Sequence, residues 1–284
     1  MTEALRALAV LLEAPRPEHA AIAAALELPA HPTPDEYTSV VVFQAYPYAS
    51  VYLGAEGMLG GEARDRIAGF WRALGGEPPA EPDHLSVLLA GVAALADLAA
   101  TDPASAVRGA LFWEHVASWM PPYLATLRRL ATPFYLAWAD LCATVLAELA
   151  RDLGPPVRLP LALRAAPAFS SAPADLDELL ATLLAPVRTG CVLVRDDLER
   201  AAAELGLGVR AGERRFALRS LLAQDPAGVL GWLASEARAQ AAALTTLPPI
   251  TAWWTARAGV GAAWLDELAD RASCARGPDL LAAR

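Results

Sequence analysis

Apolar residues recur three and four positions apart along almost the whole chain, and most of them are alanine or leucine. This spacing places apolar side chains on one helical face, and both residues favour helix. Alternating β-branched residues are confined to two short stretches, 40–43 and 191–194. A capping box, Thr-Pro-Asp-Glu at 33–36, marks one helix start. The sequence predicts an all-α helical bundle, with helices at 2–13, 17–27, 34–45, 62–74, 84–100, 103–119, 121–130, 133–153, 175–185, 195–205, 212–223, 226–244 and 250–272.

The helical pattern is interrupted between positions 154 and 174. This stretch contains five prolines and a Ser-Ser pair. Proline has no amide hydrogen and clashes with the preceding turn, so a long helix cannot continue through it. The sequence therefore predicts a helical bundle at 1–153, a Pro-rich linker at 154–174 and a C-terminal helical module at 175–284.

The composition excludes several classes of protein. Hydrophobic residues make up 55% of the 284 residues and charged residues 19%, so the chain is not disordered. All 23 basic residues are arginine, which excludes a P-loop lysine and a Schiff base. Cys142, Cys191 and Cys274 fit no paired metal-binding spacing, so we expect small buried residues in a reduced, cytoplasmic protein.

The negative charge lies in the first half of the chain. Residues 1–154 contain 9 Arg and 18 Asp and Glu, whereas residues 155–284 contain 14 of each class. An acidic surface repels nucleic-acid phosphates and attracts basic peptides. The apolar runs at 85–95 and 141–149 are too short to cross about 30 Å of hydrocarbon, so no membrane span is expected.

A tyrosine-rich segment follows the third predicted helix. Residues 46–53 read Tyr-Pro-Tyr-Ala-Ser-Val-Tyr-Leu, and the next predicted helix contains Trp71. Tyrosine combines apolar area with a hydroxyl and proline stiffens a loop, so this segment is suited to contacting a peptide. The alternative is that Tyr48 and Tyr52 only pack the loop onto the bundle.

Polar and aromatic residues also meet at two later helices. Asp83 and His84 stand where a helix is predicted to begin, and Asp83 is expected to cap it. His115 and Trp119 share one face of the helix predicted at 103–119. A carboxylate and imidazoles beside aromatic rings can hold an arginine side chain. The alternative is that Asp83 is only a cap and His115 only a core residue.

These segments resemble motifs of the TorD/DmsD/NarJ family of molybdoenzyme chaperones, the redox-enzyme maturation proteins. Residues 46–52 are similar to the family's Pro-Pro-Tyr-Glu-Ser-Val-Tyr, and residues 82–85 match its Pro-Asp-His-Leu. Residues 112–119 match its His-x-x-x-Trp spacing. The resemblance covers about residues 1–153 and implies a TorD-like helical bundle there.

The resemblance implies a function. Members of that family are cytoplasmic proteins that bind the twin-arginine signal peptide and the immature catalytic subunit of a molybdopterin oxidoreductase until its cofactor is inserted. This chain is therefore expected to have those two partners, and neither catalytic residues nor a cofactor of its own. The residues expected to bind the peptide are Asp83, His84, Tyr48, Tyr52, Trp71, His115 and Trp119. Replacing both Asp83 and His84 by Ala is expected to weaken peptide binding while folding stays intact.

A regulatory or nucleic-acid-binding role of the C-terminal module is the alternative function. Residues 198–207 have the helix-then-glycine order of a helix-turn-helix, and Arg214, Arg215 and Arg219 follow. Residues 186–245 contain 8 Arg and 7 acidic residues, which gives little positive charge for binding nucleic acid.

An enzyme and a metal site are both disfavoured. The sequence has no glycine-rich phosphate loop, nucleophile elbow or His-Glu-x-x-His motif. A metal site would have to combine Asp83, His84, Glu114 and His115, and adjacent helical residues point in different directions.

Overall fold

The computed structural model describes residues 1–98, 102–167, 173–209 and 212–274. The predicted helix end at 99–100, the linker residues 168–172 and the last part of the C-terminal module, 275–284, lie outside the described residues. Within the described ranges the chain forms helices and turns and no β-strand, so the predicted all-α class is confirmed. The chain divides into two compact units.

Unit 1 comprises Met1–Gly54, Met58–Ala165 and Thr245–Thr251. It contains two π-helical segments, Thr38–Val42 and Leu111–Ala117. Its α-helices are α1 (Thr2–Val10), α2 (His19–Ala25), α3 (Pro34–Tyr37), α4 (Ala49–Leu53), α5 (Gly61–Ala73), α6 (Leu85–Leu98), α7 (Asp102–Ala110), α8 (Met120–Leu130), α9 (Pro133–Leu153) and α10 (Leu161–Arg164).

The core of unit 1 lies between α1, α6, α8 and α9. α1 packs against α6 and α9, and α9 packs against α8. The indole Nε1 of Trp138, in α9, donates to the Leu8 carbonyl of α1 at 3.2 Å. This bond satisfies the one polar atom of a fully buried side chain, so a large ring can occupy the core without an unpaired donor.

Two of the predicted helices change geometry along their length. The helix predicted at 34–45 is α-helical only to Tyr37 and then continues as Thr38–Val42, and the one predicted at 103–119 continues after Ala110 as Leu111–Ala117. A π-turn holds more residues than an α-turn and changes which side chains share a face. The segment that carries His115 therefore departs from the α-helical geometry predicted for 103–119.

Three short helices, α4, α10 and α12 (Pro186–Thr189), are absent from the sequence prediction. α10 lies inside the predicted linker and belongs to unit 1, where the Glu114 carboxylate accepts the Leu161 N–H at 2.6 Å. A contact from a distant residue fixes the first turn of this helix. The local sequence, which is rich in proline, does not reveal it.

α9 is one helix that is long and apolar enough to cross a membrane by length and composition, within the part of the chain that the structure describes. A buried core helix of a globular protein passes the same test. One face of α9 does lie in the core of unit 1, through Phe134, Tyr135, Trp138, Cys142 and Leu146.

Unit 2 comprises Ala55–Gly57, Ala166–Leu244 and Ala252–Arg284. Besides α12, its helices are α11 (Leu176–Leu183), α13 (Arg195–Leu205), α14 (Arg214–Gln224), α15 (Pro226–Ala242) and α16 (Pro248–Cys274). The first residues of α16, up to Thr251, belong to unit 1, and the rest of the helix belongs to unit 2. Leucine and alanine side chains from α11, α13, α14, α15 and α16 form its core. Gly190 has a φ of +74°, and a Cβ there would lie 2.3 Å from the Ala258 amide nitrogen, so only glycine fits.

A buried polar cluster links α13 to α15 in unit 2. The Arg200 guanidinium donates to Asp197 at 3.0 Å and to Glu236 at 2.9 Å, and both carboxylates are almost completely buried. The Gln240 amide accepts the Val192 N–H and donates to the Val192 carbonyl. The side chains of α15 thus supply the hydrogen bonds that a neighbouring strand would give to this extended segment.

The cysteines differ in exposure. Cys142 and Cys191 are buried, as expected, and burial raises the pKa of the Cys142 thiol. Cys274 is exposed at the end of α16, so the expectation that all three are buried is wrong.

Candidate functional site

Backbone hydrogen bonds join the tyrosine-rich segment to the Pro-Asp-His-Leu segment in unit 1. The bonds are Ala49 N–H to the Asp83 carbonyl at 3.0 Å and Leu85 N–H to the Pro47 carbonyl at 2.8 Å. They place Tyr48 opposite His84 as in an antiparallel bridge. The two rings pack edge to face with centroids 4.7 Å apart. Two motifs that are distant in sequence thus form one feature.

Asp83 stabilises the start of α4. Its carboxylate accepts the Ser50 N–H at 3.2 Å, and the side chain is 1% exposed. The expectation that Asp83 caps the helix following it is wrong, because the His84 imidazole accepts the Ser86 N–H in the first turn of α6. Removing the Asp83 carboxylate would leave a buried N–H without an acceptor, so Asp83→Ala is expected to lower the stability of the fold as well as to affect the site.

The His84 ring is held in one orientation. Its Nδ1 lies 2.6 Å from Ser86 Oγ and also accepts the Ser86 N–H at 3.2 Å. A ring whose Nδ1 accepts a hydrogen bond carries its proton on Nε2 in the neutral form. Burial lowers the pKa of His84, although Glu81, Asp83 and Glu13 act in the opposite direction. At neutral pH the ring therefore presents an Nε2–H donor.

Two carboxylates and a second tyrosine surround this pair of rings. Burial and the interaction of its hydroxyl with Glu81 raise the pKa of Tyr48. Burial raises the pKa of Tyr37, to which the charges of Glu13 and Glu81 add. We call these five residues, Glu13, Tyr37, Tyr48, Glu81 and His84, the Tyr48–His84 site.

The carboxylates of this site are not neutralised by the protein itself. Within the described ranges, neither Glu13 nor Glu81 forms an ion pair with an arginine. Glu81 is exposed, and Glu13 and Tyr48 are half-buried. The site therefore presents negative charge and aromatic area together at the surface, which is the combination that attracts a guanidinium group.

Two of the predicted peptide-binding residues lie in the core instead. Tyr52 is 1% exposed and Trp119 0%, and their rings stack with centroids 5.1 Å apart. Trp119 Nε1 donates to the His115 carbonyl at 2.8 Å. These rings have no surface left for a peptide, so the expectation that they contact it is wrong for this conformation. Large aromatic rings contribute more by burial than they could at the surface.

The Trp71 and His115 rings also pack against other residues of unit 1. The Trp71 ring lies over Gly91, where a Cβ would come within 2.6 Å of it. The His115 ring packs on Phe70 with centroids 5.0 Å apart and is 8% exposed. Burial, with a smaller contribution from Arg66, lowers the pKa of His115 to about 4. Of the seven predicted residues, the structure brings Tyr48, Asp83 and His84 together. Asp83 and His84 are buried, and Tyr48 is half-buried.

Glu13 and Tyr37 were not predicted from the sequence, and Glu81 was not predicted to bind peptide. Glu13 follows α1 and Tyr37 ends α3, so no local motif connects them to Tyr48. Only the excess of acidic residues in the first half of the chain pointed to the two glutamates, and no signal pointed to Tyr37. That signal is a property of the whole half and does not identify individual residues.

Residues 4–125 match the family model described as nitrate reductase delta subunit. Over these residues the chain is similar to that family. The match covers all five residues of the Tyr48–His84 site and confirms the resemblance to the redox-enzyme maturation chaperones. The nitrate reductase delta subunit family implies a maturation chaperone for a molybdoenzyme rather than an enzyme. No curated protein matches the chain.

The three arginines that suggested nucleic-acid binding form hydrogen bonds within unit 2. They lie outside the residues that match the nitrate reductase delta subunit family. Arg215 and Arg219 both donate to the Asp177 carboxylate, and Arg214 donates to the Leu193 carbonyl. Their charges are partly compensated, and they do not form the free basic face that phosphate binding needs.

Proposed function

We propose that this chain is a cytoplasmic chaperone that binds the twin-arginine signal peptide of a molybdopterin oxidoreductase through the Tyr48–His84 site. It would hold the immature catalytic subunit until its cofactor is inserted. The observation that carries the proposal is the pair of carboxylates, Glu13 and Glu81, which lie beside tyrosine rings and have no arginine partner among the residues that the structure describes.

The chemistry of the site suits a guanidinium group. A carboxylate can accept two parallel hydrogen bonds from one arginine, and a tyrosine face can stack on the same group. Glu81 interacts with the Tyr48 hydroxyl. The charges of both Glu81 and Glu13 also raise the pKa of Tyr37, so the two carboxylates lie near the same tyrosine. Two carboxylates offer one acceptor to each of the two arginines.

His84 would bind the peptide backbone rather than an arginine. Its Nε2–H is a donor in the neutral ring, whereas a guanidinium is also a donor and needs an acceptor. A peptide carbonyl fits this donor. Asp83 would act indirectly, by fixing the start of α4 and, through its own carbonyl, the position of the tyrosine-rich segment.

The apolar part of a signal peptide would lie on the loop that precedes α5. Met58 is 65% exposed and Leu59 57% exposed. The following Gly60 N–H donates to Ser50 Oγ at 3.2 Å, and the Ser50 N–H is bound by Asp83. These two hydrogen bonds connect the loop with the exposed apolar pair to the Tyr48–His84 site within unit 1.

Calorimetric titration of the full chain with a synthetic twin-arginine signal peptide tests the proposal. Glu13→Gln and Glu81→Gln are each expected to weaken binding about five- to tenfold at low salt, because each removes one charge partner. The loss is expected to shrink as salt is added.

Glu148→Gln is the matched control, because Glu148 is an exposed carboxylate on α9 with the same change of charge. Leu59→Ser tests separately whether the exposed apolar pair binds the apolar part of the signal peptide. It is expected to weaken binding of the complete signal peptide but not of a peptide that carries only the two arginines and their nearest neighbours. Wild-type affinity in both Glu13→Gln and Glu81→Gln would reject the site.

A further inference from the structure

The segment between α5 and α6 carries Glu81, one of the two carboxylates of the Tyr48–His84 site. Residues 74–83 of this segment are turns and irregular backbone, and they include three prolines. Proline has no N–H and cannot donate a backbone hydrogen bond. Among residues 77–80, only the Ala80 carbonyl has a hydrogen-bond partner within the described part of the chain. The position of Glu81 therefore depends on few contacts.

The partner of the Ala80 carbonyl is Arg64, near the start of α5. Arg64 Nη2 donates to this carbonyl at 2.9 Å. The Ala80 carbonyl belongs to the same planar peptide group as the Glu81 nitrogen, so a bond to the carbonyl also fixes the direction in which the chain enters Glu81. On the other side, the Glu81 carbonyl accepts the His84 N–H at 3.2 Å. Glu81 is thus held by one hydrogen bond before it and one after it.

The charge of Arg64 has the wrong sign for binding a cationic peptide. Its one ion pair in the described ranges is to its chain neighbour Asp65, at 3.7 Å, and the Arg64 side chain is 39% exposed. A cation beside Glu81 repels the arginines of an incoming peptide and weakens binding through the Coulomb interaction alone. An effect of Arg64 through its charge and an effect through its hydrogen bond therefore have opposite signs.

We infer that Arg64 is a positioning residue, which orients Glu81 for an arginine of the peptide by holding the Ala80 carbonyl. This inference rests on the proposed function. A carboxylate binds a guanidinium best through two parallel hydrogen bonds, so a displaced Glu81 loses one of them although its charge stays in place. Arg64 acts through Glu81 and needs no contact of its own with the peptide.

Calorimetric titration of the full chain with a synthetic twin-arginine signal peptide tests the inference. Arg64→Met removes both the donor and the charge and is expected to weaken binding about fivefold, although the loss of a positive charge alone would strengthen it. Arg64→Lys keeps a donor and is expected to remain within about twofold of the wild type. Arg66→Met is the matched control, because Arg66 lies on the same helix and pairs with Glu62. The same charge is lost there, and binding is expected to stay unchanged or to become slightly tighter.

A double-mutant cycle shows whether Arg64 acts through Glu81. In a Glu81→Gln background, Arg64→Met is expected to cause no further loss of peptide affinity. In a Glu13→Gln background it is expected to keep its full effect, since Glu13 follows α1 and lies outside the segment that Arg64 holds. A general distortion of unit 1 would lower the affinity in both backgrounds alike. Thermal denaturation followed by circular dichroism checks that each variant is folded.

Three results would overturn the inference: wild-type or tighter binding by Arg64→Met, an equal loss in Arg66→Met, or a full further loss in the Glu81→Gln background. Weaker binding in Glu81→Gln together with unchanged binding in Arg64→Met would remove the role of Arg64 and leave the proposed function intact. Wild-type affinity in both Glu13→Gln and Glu81→Gln would reject the site itself, and the role of Arg64 with it.

Discussion

The two units treat their charged side chains in different ways. In unit 2 the buried carboxylates of Asp197 and Glu236 share the guanidinium of Arg200, and Asp177 on the surface takes two arginines. In unit 1 the buried Asp83 is satisfied by a backbone N–H, and Glu13 and Glu81 have no arginine partner within the described ranges. The buried carboxylates of unit 2 are thus paired with an arginine, whereas the two carboxylates beside Tyr48 in unit 1 are not.

This difference shows where a cationic partner can bind. An ion pair already formed inside a protein must be broken before an outside arginine can take its place, which cancels much of the gain. A carboxylate that is not already in an ion pair has no such cost. The Tyr48–His84 site is therefore better suited to an arginine-bearing peptide than the arginine-paired carboxylates of unit 2.

The largest expected effect concerns the buried pairs of unit 2. Arg200→Ala leaves Asp197 and Glu236 buried without their cation and removes the contact of Arg200 with the Trp232 ring. We expect the free energy of unfolding to fall by about 3 kcal/mol. This value is at the lower end of the losses found when one partner of a buried ion pair is removed, because Arg200 is partly exposed. Urea denaturation followed by circular dichroism measures it.

Arg238→Ala is the control for this prediction, because Arg238 also lies on α15 but pairs with Asp266 on the surface. A change within about 0.5 kcal/mol is expected there. Equal losses in Arg200→Ala and Arg238→Ala would mean that burial of the carboxylates does not matter.

The second effect concerns a buried imidazole of unit 1 that stays neutral. The pKa of His115 is about 4 in the folded state against 6.5 in the unfolded state. The unfolded state therefore binds the proton first, and stability is lost as the pH falls from about 6.5 towards 4. Between pH 7 and pH 5 we expect a loss of about 2 kcal/mol from this group. Urea denaturation at both pH values is expected to show a smaller loss in His115→Gln, and an unchanged loss would contradict the assignment.

The third effect separates a cap from a contact residue. Asp83→Ala leaves the buried Ser50 N–H without its acceptor, so we expect the free energy of unfolding to fall by about 1–2 kcal/mol. Asp83→Asn keeps an oxygen acceptor and is expected to cost less in thermal denaturation. Glu77→Ala, at an exposed position, is the control. If Asp83→Ala lowers peptide affinity and leaves stability unchanged, Asp83 contacts the peptide directly.

The smallest effect concerns the peptide. Replacing both of its arginines by lysine keeps the charge but loses the planar fork, so we expect a loss of about threefold in calorimetric affinity. Replacement by alanine removes the charge as well and is expected to cost at least about tenfold. Equal losses would show that the fork geometry alone is recognised and that the unpaired charges of unit 1 contribute nothing.

The sequence located most helices because helical periodicity and many caps are local. Thr33 shows this: its hydroxyl accepts the Glu36 N–H at 3.2 Å, as the capping box predicts. The start of α4 shows the opposite, because its cap is Asp83, which lies far away in sequence. The motifs at 46–52 and 82–85 were also visible in the sequence, but not the backbone pairing that joins them.

The sequence by itself determined the all-α class, the acidic character of the first half and the motifs that the family shares, since composition and spacing are properties of the chain. Only the tertiary structure decided that Tyr52 and Trp119 are core residues while Tyr48 remains half-buried. It also brought Glu13 and Tyr37 to the same site. The physical reason is that exposure and charge pairing depend on which helices pack together, and no local pattern contains that information.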